Sequence, residues 1–333
     1  MKIYCKIICI SLFIFLMTPS LSAQISVKIN DQISFSKKIP PGNYSGITRL
    51  KDDLYAVVSD KSELDGFFIF RIYIDSINGN IVNVENEGFV ASAVSNRDAE
   101  GIAYIPERKT VLIVGERDGR IMEYDSVGTF TGRELLLEKE SKTYGYESLT
   151  YNENTGLLWT CTENIYSDAY AILANDTMVV VRLKAFNTDL YPVSTYLYRL
   201  DKPLSDNIGK YYAHGVSELL ALDDGSLIVL EREFRVPKSM IGAYVLCKLY
   251  LVDPQNTNLT ENKELFYGTE LHKTLLCKWT TKLSLFNHSL ANYEGMCLGP
   301  KLSNGSQTII MISDSQNRSG GILRDWFRTI IIK

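Results

Sequence analysis

One short pattern recurs five times along the chain and limits its fold more than any other feature. Each copy has an aliphatic strand, a polar turn and a second apolar strand that ends in an acid or close to one. The copies begin at Ser45, Glu100, Glu147, Ser217 and Glu294. Val, Ile, Leu, Tyr and Thr fill the strands, and turns such as Asp224-Gly225 and Asn304-Gly305 are typical of β-hairpins. The repeat therefore predicts a series of similar antiparallel hairpins.

Further strand candidates lie between the copies: Arg120–Asp125, Met178–Phe186, Thr195–Leu200 and Tyr244–Val252. Four strands in each unit of about 40–50 residues are typical of a β-propeller. The longer gaps after Ser148 and Glu218 could hold long loops or a degenerate extra blade. We predict an all-β fold, a single six-bladed propeller domain over residues 24–333, with five or seven blades as alternatives. We also expect Thr329–Ile332 to join the first blade with Ile25–Ile29 and so to close the ring.

Residues 1–23 have the layout of a secretory signal peptide. Lys2 and Lys6 precede the apolar run Ile7–Met17, and the small-residue exit Leu21-Ser22-Ala23 follows it. The run is shorter than the ~20 residues that cross a bilayer, and no later segment is long and apolar enough to do so. We therefore expect a secreted or periplasmic protein without a membrane span.

The net charge limits the binding partners that we expect, and the cysteine content limits the disulfide bonds. The formal net charge is −4, and removing the two leader lysines gives −4 − 2 = −6. A negative domain is a poor match for nucleic acid, so we expect none as a partner, and we expect a monomer. Of the four cysteines after the leader, Cys161 and Cys297 lie within apolar strands and are expected to be buried thiols. A Cys247–Cys277 bridge is the one disulfide that the spacing leaves open.

The hairpin geometry predicts an acidic site. In a propeller the first strand of each blade lines the channel and the second runs back beside it. A residue that opens the first strand and one that closes the second therefore emerge at the same face. This places eight carboxylates at one mouth: Asp60, Glu100, Glu116, Glu147, Glu163, Glu231, Glu294 and Asp314.

Packed carboxylates cannot all stay ionised unless a cation compensates them or some pKa values rise. Oxygen ligands favour a hard cation, so we expect Ca²⁺ or another divalent cation. Its candidate ligands are Glu100, Glu116, Glu163, Glu231 and Glu294. The alternative is structural: these acids cap loops or pair with arginines that hold the blades together.

Basic residues accompany the acids and are candidates for substrate binding. Arg97, Arg117, Arg232 and Arg318 each lie within four residues of one of these acids, and a guanidinium is a natural fork for a phosphate or carboxylate. His214 joins this set as the one histidine near the inferred mouth. The segment Gly215–Leu219 begins like a nucleophile elbow but has Leu219 where the final glycine is required, which argues against a Ser-His-Asp hydrolase.

Several pieces of the repeat resemble the phytase-like family described as having esterase-like activity of phytase. They run in family order over about Gly46 to Lys333, with Ser148 at a position where the family more often has glycine. The pieces are Asp98–Ala103, Tyr144–Leu149, Gly215–Leu219, Leu227–Arg232, Asn292–Met296 and Ile312–Asn317. The resemblance implies an exported propeller that hydrolyses phosphate or other esters.

Three hypotheses follow. In the first, the protein hydrolyses a small-molecule ester or phosphate ester, with Glu100, Glu147, Glu294 and Asp314 as general acid/base groups or metal ligands. Arg117 and Arg232 would then receive the anionic group of the substrate. The second is a non-catalytic propeller that binds a glycan, a peptide or an envelope partner. The third is a lactonase-like Ca²⁺-dependent hydrolase that uses Asn164, Asn292 and Asn317.

Overall fold

The computed structural model describes residues 25–141, 143–165, 179–257 and 269–333. Within these ranges the chain forms 22 β-strands and one 3₁₀ turn, Ser319–Gly321. The predicted signal peptide lies outside the described residues and stays a prediction. No helix in the described ranges is long and apolar enough to cross a bilayer.

The strands form five sheets, which are the blades of a β-propeller. Blade 1 contains β3–β6: Tyr44–Lys51, Leu54–Ser59, Leu64–Ile74 and Ile81–Ser95. Blade 2 contains β7–β10: Ala99–Ile105, Thr110–Gly115, Arg120–Tyr124 and Phe130–Leu136. Blade 3 contains β11–β14, which are Thr150–Asn152, Leu157–Thr160, Val180–Asn187 and Pro192–Arg199, together with β18, Thr269–Glu270.

Blade 4 contains β15–β17 and β19: Tyr211–Ala221, Leu227–Val236, Ala243–Val252 and Lys273–Leu283. Blade 5 contains β20–β22, which are Asn292–Lys301, Gln307–Asp314 and Trp326–Ile332, with β1, Val27–Ile29, and β2, Ile33–Ser34. Neighbouring strands are antiparallel, except that β18 runs parallel to β14.

The all-β propeller is confirmed, but the prediction of six blades is wrong. The two long gaps in the repeat hold no extra blade among the described residues. Each instead contains the outer strands of an ordinary blade and its long connections. The chain between β17 and β19 also supplies β18, which extends blade 3 at its outer edge rather than starting a sheet of its own.

The ring is closed by pairing of the two ends of the described chain. β1 pairs antiparallel with β22, with Val27 opposite Ile332 and Ile29 opposite Ile330. The expected pairing of these two segments is therefore confirmed, although the sheet that they complete is the last blade and not the first. One blade made from both ends of the chain closes the ring, and β1 is the outer strand of that blade.

Alternating side chains of the inner strands fill the spaces between the blades. In β16, Leu227 and Val229 pack in one cluster with residues of blade 3, whereas Ile228 and Leu230 pack in another with residues of blade 5. Successive residues of a strand point to opposite faces, so each inner strand contributes to two interfaces. The same alternation determines the face of β16 to which each charged residue at the end of this strand points.

The four cysteines after the leader are free thiols. Cys247 lies opposite Trp279 in the β17–β19 pair, and Cys277 lies opposite Leu249. The Cys247–Cys277 bridge that the spacing left open is therefore absent, because the register does not place the two residues opposite each other.

Candidate functional site

A β-bulge occurs at the same place in the first strand of every blade. In blade 2, Ala99 pairs with Gly115 and Gly101 pairs with Val114, so Glu100 is an extra residue. The same one-residue shift occurs in blades 1, 4 and 5, and in blade 3 between the Tyr146–Thr162 bridge and the start of β11. Bulges redirect a side chain and are frequent next to active sites. The bulge positions, which we call the bulge ring, are Ser45, Glu100, Glu147, Ser217 and Glu294.

A second ring lies beside the first, where the second strand of each blade ends. In blade 1, Tyr44 pairs with Ser59, so Asp60 comes next to the bulge residue Ser45. The equivalent positions follow from the register of the other blades. We call them the closing ring: Asp60, Glu116, Glu163, Arg232 and Asp314. The two rings together are the acidic mouth, with seven carboxylates, two serines and one arginine.

Glu231 is not part of this mouth, which corrects its predicted position. Val216 pairs with Glu231, so the residue equivalent to the acids of the other blades is Arg232. Glu231 points to the opposite face of β16. There its carboxylate accepts hydrogen bonds from the Tyr198 hydroxyl, at 2.7 Å, and from the Lys273 ammonium, at 2.6 Å. It belongs to the interface between blades 3 and 4.

Burial and neighbouring acids raise the pKa of several carboxyl groups of the mouth. Burial is the main cause for Glu100 and Glu147, whose pKa values lie well above the usual range, and neighbouring acids add to the effect. Burial also raises the pKa of Glu294 to about 8, although Arg232 opposes this, and that of Asp314 to about 6. The mouth therefore concentrates more negative charge than its own cations compensate.

Arg232 is the buried cation of the mouth. Its guanidinium donates to Glu163 and Glu294 and also to the Asn292 side chain, at 2.9 Å, and the side chain is only 5% exposed. Arg117 lies at the rim and is 65% exposed, with a contact to Asp98 at 3.3 Å. Arg232 binds residues of the neighbouring blades, so it links blades 3, 4 and 5. Arg117 is the more accessible of the two arginines.

Arg97 and Arg318 hold segments of the fold together, which differs from their predicted role in substrate binding. Arg97 is buried, and its Nε donates to Asp65 at 2.8 Å. Arg318 donates to Asp325 at 2.5 Å and to the backbone carbonyls of Ser36 and Ile39, both at 2.9 Å. Arg97 and Arg318 therefore fit the structural alternative, in which arginines pair with acids and hold the fold together.

His214 lies behind the mouth, between blades 3 and 4, and not at the surface that a substrate would reach. It is buried, and Glu233 lies opposite it in the β15–β16 pair. Burial lowers the pKa of His214 to about 4. Glu233 and Asp201 oppose this shift, while Lys248 and Lys273 add to it.

This environment predicts a pH dependence of stability. The folded pKa of His214 is below the unfolded value, so between pH 6.5 and 4 the unfolded chain binds a proton that the native protein does not. Between pH 7 and 5, wild type should lose about 2 kcal/mol more unfolding free energy than His214→Gln, which cannot titrate. Urea unfolding of both proteins at the two pH values measures this difference. Parallel losses would contradict it.

Three acids at one side of the mouth could share a cation. Oxygen atoms of Asp60, Asp98 and Glu100 all lie within 4.8 Å of one another. Lys61 places its ammonium 2.8 Å from Asp60 and 2.7 Å from Asp98. Among the described residues, no hydrogen-bond donor reaches the Glu100 carboxylate, which is only 7% exposed and has acids as its strongest electrostatic neighbours. A buried carboxylate without a donor fits a cation ligand.

Only part of the predicted set of cation ligands therefore lies in this three-acid group. Glu100 belongs to the three-acid group, whereas Glu163 and Glu294 bind Arg232, and Glu116 accepts the backbone N–H of Gly145 at 3.1 Å. Sequence reasoning missed Asp98 as a site residue, although it lies two positions before Glu100 in the quoted motif. Its left-handed backbone, with φ of 58°, was not visible in the repeat pattern.

The three asparagines of the lactonase-like hypothesis do not share one site. Asn164 is buried and donates to the backbone carbonyl of His214 at 2.7 Å. Asn292 lies in the mouth and donates to Glu294 at 2.7 Å. Asn317 is exposed in the connection between β21 and β22. Only Asn292 is therefore available to a ligand at the mouth.

Glu218 is a further buried acid that the sequence did not single out. In the other blades the residue after the bulge is small: Gly46, Gly101, Ser148 and Gly295. A Cβ on Gly101 would lie 2.4 Å from the backbone nitrogen of Leu149, so the inner strands approach closely there. In blade 4 this position is Glu218, whose carboxylate accepts backbone N–H groups of Leu149 and Met296. It thus joins blade 4 to both of its neighbours.

Fold and site together define a five-bladed β-propeller with an acidic mouth. The model of the phytase-like family, described as esterase-like activity of phytase, matches residues 39–316. The chain belongs to this family. A search of curated proteins found no match.

Solved propeller structures are similar only at a low level. The streptogramin B lyase structure is 11% identical, with 93% of this chain and 98% of that chain covered and a TM-score of 0.37. A luciferin-regenerating enzyme is 10% identical, with 90% and 94% covered and a TM-score of 0.44. A DUF4221 family member from Bacteroides vulgatus is 9% identical, with 93% and 98% covered and a TM-score of 0.38. Likenesses at this level carry no argument about function.

Proposed function

We propose that the protein is a hydrolase of esters that uses a divalent cation bound at the acidic mouth. The observation that carries the proposal is the Asp60, Asp98 and Glu100 group, in which a buried carboxylate has no donor among the described residues. Membership of a family described by esterase-like activity supports the reaction class.

The three acids would hold the cation, and Lys61 would move away from Asp60 and Asp98 when the cation binds. Lys61 is 58% exposed, so its side chain can turn into solvent. Ca²⁺ suits an all-oxygen site with flexible geometry. A bound divalent cation polarises an ester oxygen and lowers the pKa of bound water.

Two other acids of the mouth suit the proton transfers. Hydrolysis adds water to the ester, breaks the bond to the leaving oxygen and yields an acid and an alcohol. Asp314 would accept the proton of the attacking water, and Glu147 would donate a proton to the leaving oxygen. A general base works best when its pKa is near the working pH, and burial raises that of Asp314 to about 6. Burial raises the pKa of Glu147 well above the usual range, which favours the protonated form that a proton donor needs.

Glu100→Gln tests the proposal because it keeps the side-chain volume and removes one ligand charge. In wild type, Ca²⁺ should raise both the melting temperature and the turnover of p-nitrophenyl esters. Glu100→Gln should lose both effects, with turnover reduced about a hundredfold, the size of effect expected when a catalytic electrostatic group is lost. In chelator the variant should melt at or above the wild-type temperature, because like-charge repulsion is relieved.

The matched control is Glu134→Gln, an exposed acid on the outer strand of the same blade. It should keep the Ca²⁺ response and the turnover. If Glu100→Gln kept full turnover per folded molecule, the cation site would be excluded as the working site. Stabilisation of wild type by Ca²⁺ without any turnover would instead favour the binding propeller.

A further inference from the structure

A second cavity opens beside the acidic mouth, between blades 4 and 5. Its volume is about 620 Å³, within the range of about 300–1,000 Å³ that is usual for small-molecule sites. Its walls are mainly apolar and are formed by Phe234, Val236, Met240, Leu283, Leu290 and Leu323. We call it the apolar pocket. Several of these residues belong to the hydrophobic core cluster between the two blades, so the floor of the pocket is formed by the core.

The apolar pocket and the acidic mouth share residues. Asn292 and Asp314 line the pocket. Asp314 is a closing-ring residue, and Asn292 contacts Arg232 and Glu294 at 2.9 and 2.7 Å. A molecule in the pocket therefore has one end at the polar groups of the mouth and the rest against hydrocarbon.

Charge restricts what that molecule can be. The mouth contains seven carboxylates and one buried arginine, so its charge stays negative after one divalent cation binds, even with Glu147 protonated as the proton donor. Arg232 uses its guanidinium on Glu163, Glu294 and Asn292. Lys210 also lines the pocket, and its ammonium lies 5.1 Å from the centre of the Tyr211 ring. A ligand with several phosphate groups would meet net repulsion here.

We propose that the apolar pocket binds the acyl chain of an uncharged carboxylic ester and places the ester group at Asn292 and Asp314. This inference rests on the proposed hydrolase function and gives its substrate class. It assigns specificity to blades 4 and 5, whereas the cation group lies on blades 1 and 2. Apolar surface drives the binding, because each buried methylene of the chain leaves water.

The test compares p-nitrophenyl acetate, butyrate and octanoate with p-nitrophenyl phosphate, in Ca²⁺. For wild type, kcat/KM should rise at least about tenfold from acetate to octanoate, and the phosphate should be the poorest substrate. Met240→Asp puts a charge on the pocket wall. Met240 has φ of 61°, which aspartate tolerates better than most residues, so the fold should be kept. The octanoate-to-acetate ratio of this variant should fall about tenfold.

Ile77→Asp is the matched control, because Ile77 is an exposed apolar residue in a turn of blade 1, away from the pocket. It should leave every ratio unchanged. Ser319→Trp, at an exposed pocket position, tests the same point by blocking the space, and it too should abolish the preference for octanoate.

Calorimetry with octanamide, an uncharged compound without an ester bond, separates the two proposals. Binding that Met240→Asp weakens, without turnover of any ester, would support the pocket and contradict the hydrolase function. Ester turnover without chain-length preference and without octanamide binding would overturn the pocket and leave the hydrolase function intact. Faster turnover of the phosphate than of octanoate would overturn the substrate class.

Discussion

Deletion of Arg328–Lys333 should unfold the propeller or leave it marginally stable at 25 °C. The segment forms most of β22, which pairs with β21 on one side and with β1 on the other. Its Ile330 and Ile331 side chains are buried, and each contributes about 1.5–3 kcal/mol by leaving water. The deletion also removes the ladders that join the two ends of the chain. Together these losses approach the whole stability of an ordinary domain, about 5–15 kcal/mol.

Thermal unfolding and the soluble yield measure this effect. Lys333→Ala is the matched control, because the Lys333 side chain is exposed while its backbone pairs with Ser26. It should melt like wild type. A truncated protein with the wild-type melting temperature would contradict closure by β1 and β22. The exposed edges of β1 and β21 should also make the truncated protein prone to aggregation.

The repeat predicts the blades well because each hairpin is a local feature. Its strands and turn lie close together in sequence, and the turn residues, such as Asp224-Gly225, have local conformational preferences. The number of blades is not local. It depends on whether a strand such as β18 starts a new sheet or joins an old one. The register of a two-residue strand against β14 contains too little pattern to predict.

The acidic mouth was predictable as a group but not residue by residue. Glu100 and Glu294 open their strands with the same motif, so both were found. Glu231 and Arg232 are adjacent, and a one-residue change of register exchanges the faces to which they point. The acid at the end of the apolar run made Glu231 the obvious choice, but the bulge at Ser217 sets the register and brings Arg232 into the closing ring.

The sequence alone also could not show whether an arginine lies in the mouth or holds segments of the fold together. Arg97, Arg232 and Arg318 all lie near acids, yet only Arg232 points into the mouth. Arg97 binds Asp65, which lies 32 residues earlier in the chain. Arg318 binds the backbone carbonyls of Ser36 and Ile39, 282 and 279 residues earlier. Such long-range pairs depend on the packing of finished blades, which no local pattern records.

Arg232→Met should be the most destabilising single substitution in the mouth. It keeps much of the side-chain volume but leaves Glu163 and Glu294 buried without their cation. Breaking a buried ion pair in this way costs about 3–5 kcal/mol. Ca²⁺ should restore part of the loss, because the excess of carboxylates would then attract the ion more strongly. Arg232→Lys should lie between wild type and Arg232→Met, since lysine keeps the charge but cannot bridge both acids with a planar fork.

Arg117→Met is the matched control, because Arg117 lies at the same mouth but is largely exposed. Surface ion pairs contribute about 0–1 kcal/mol, so its urea midpoint should stay close to that of wild type. Equal midpoints for Arg232→Met and Arg117→Met would show that Arg232 does not link the blades. If Arg232→Met alone is unstable and recovers with Ca²⁺, the excess negative charge of the mouth is what binds the cation. Measurements of stability alone would then show that the mouth requires a compensating cation, without any knowledge of the substrate.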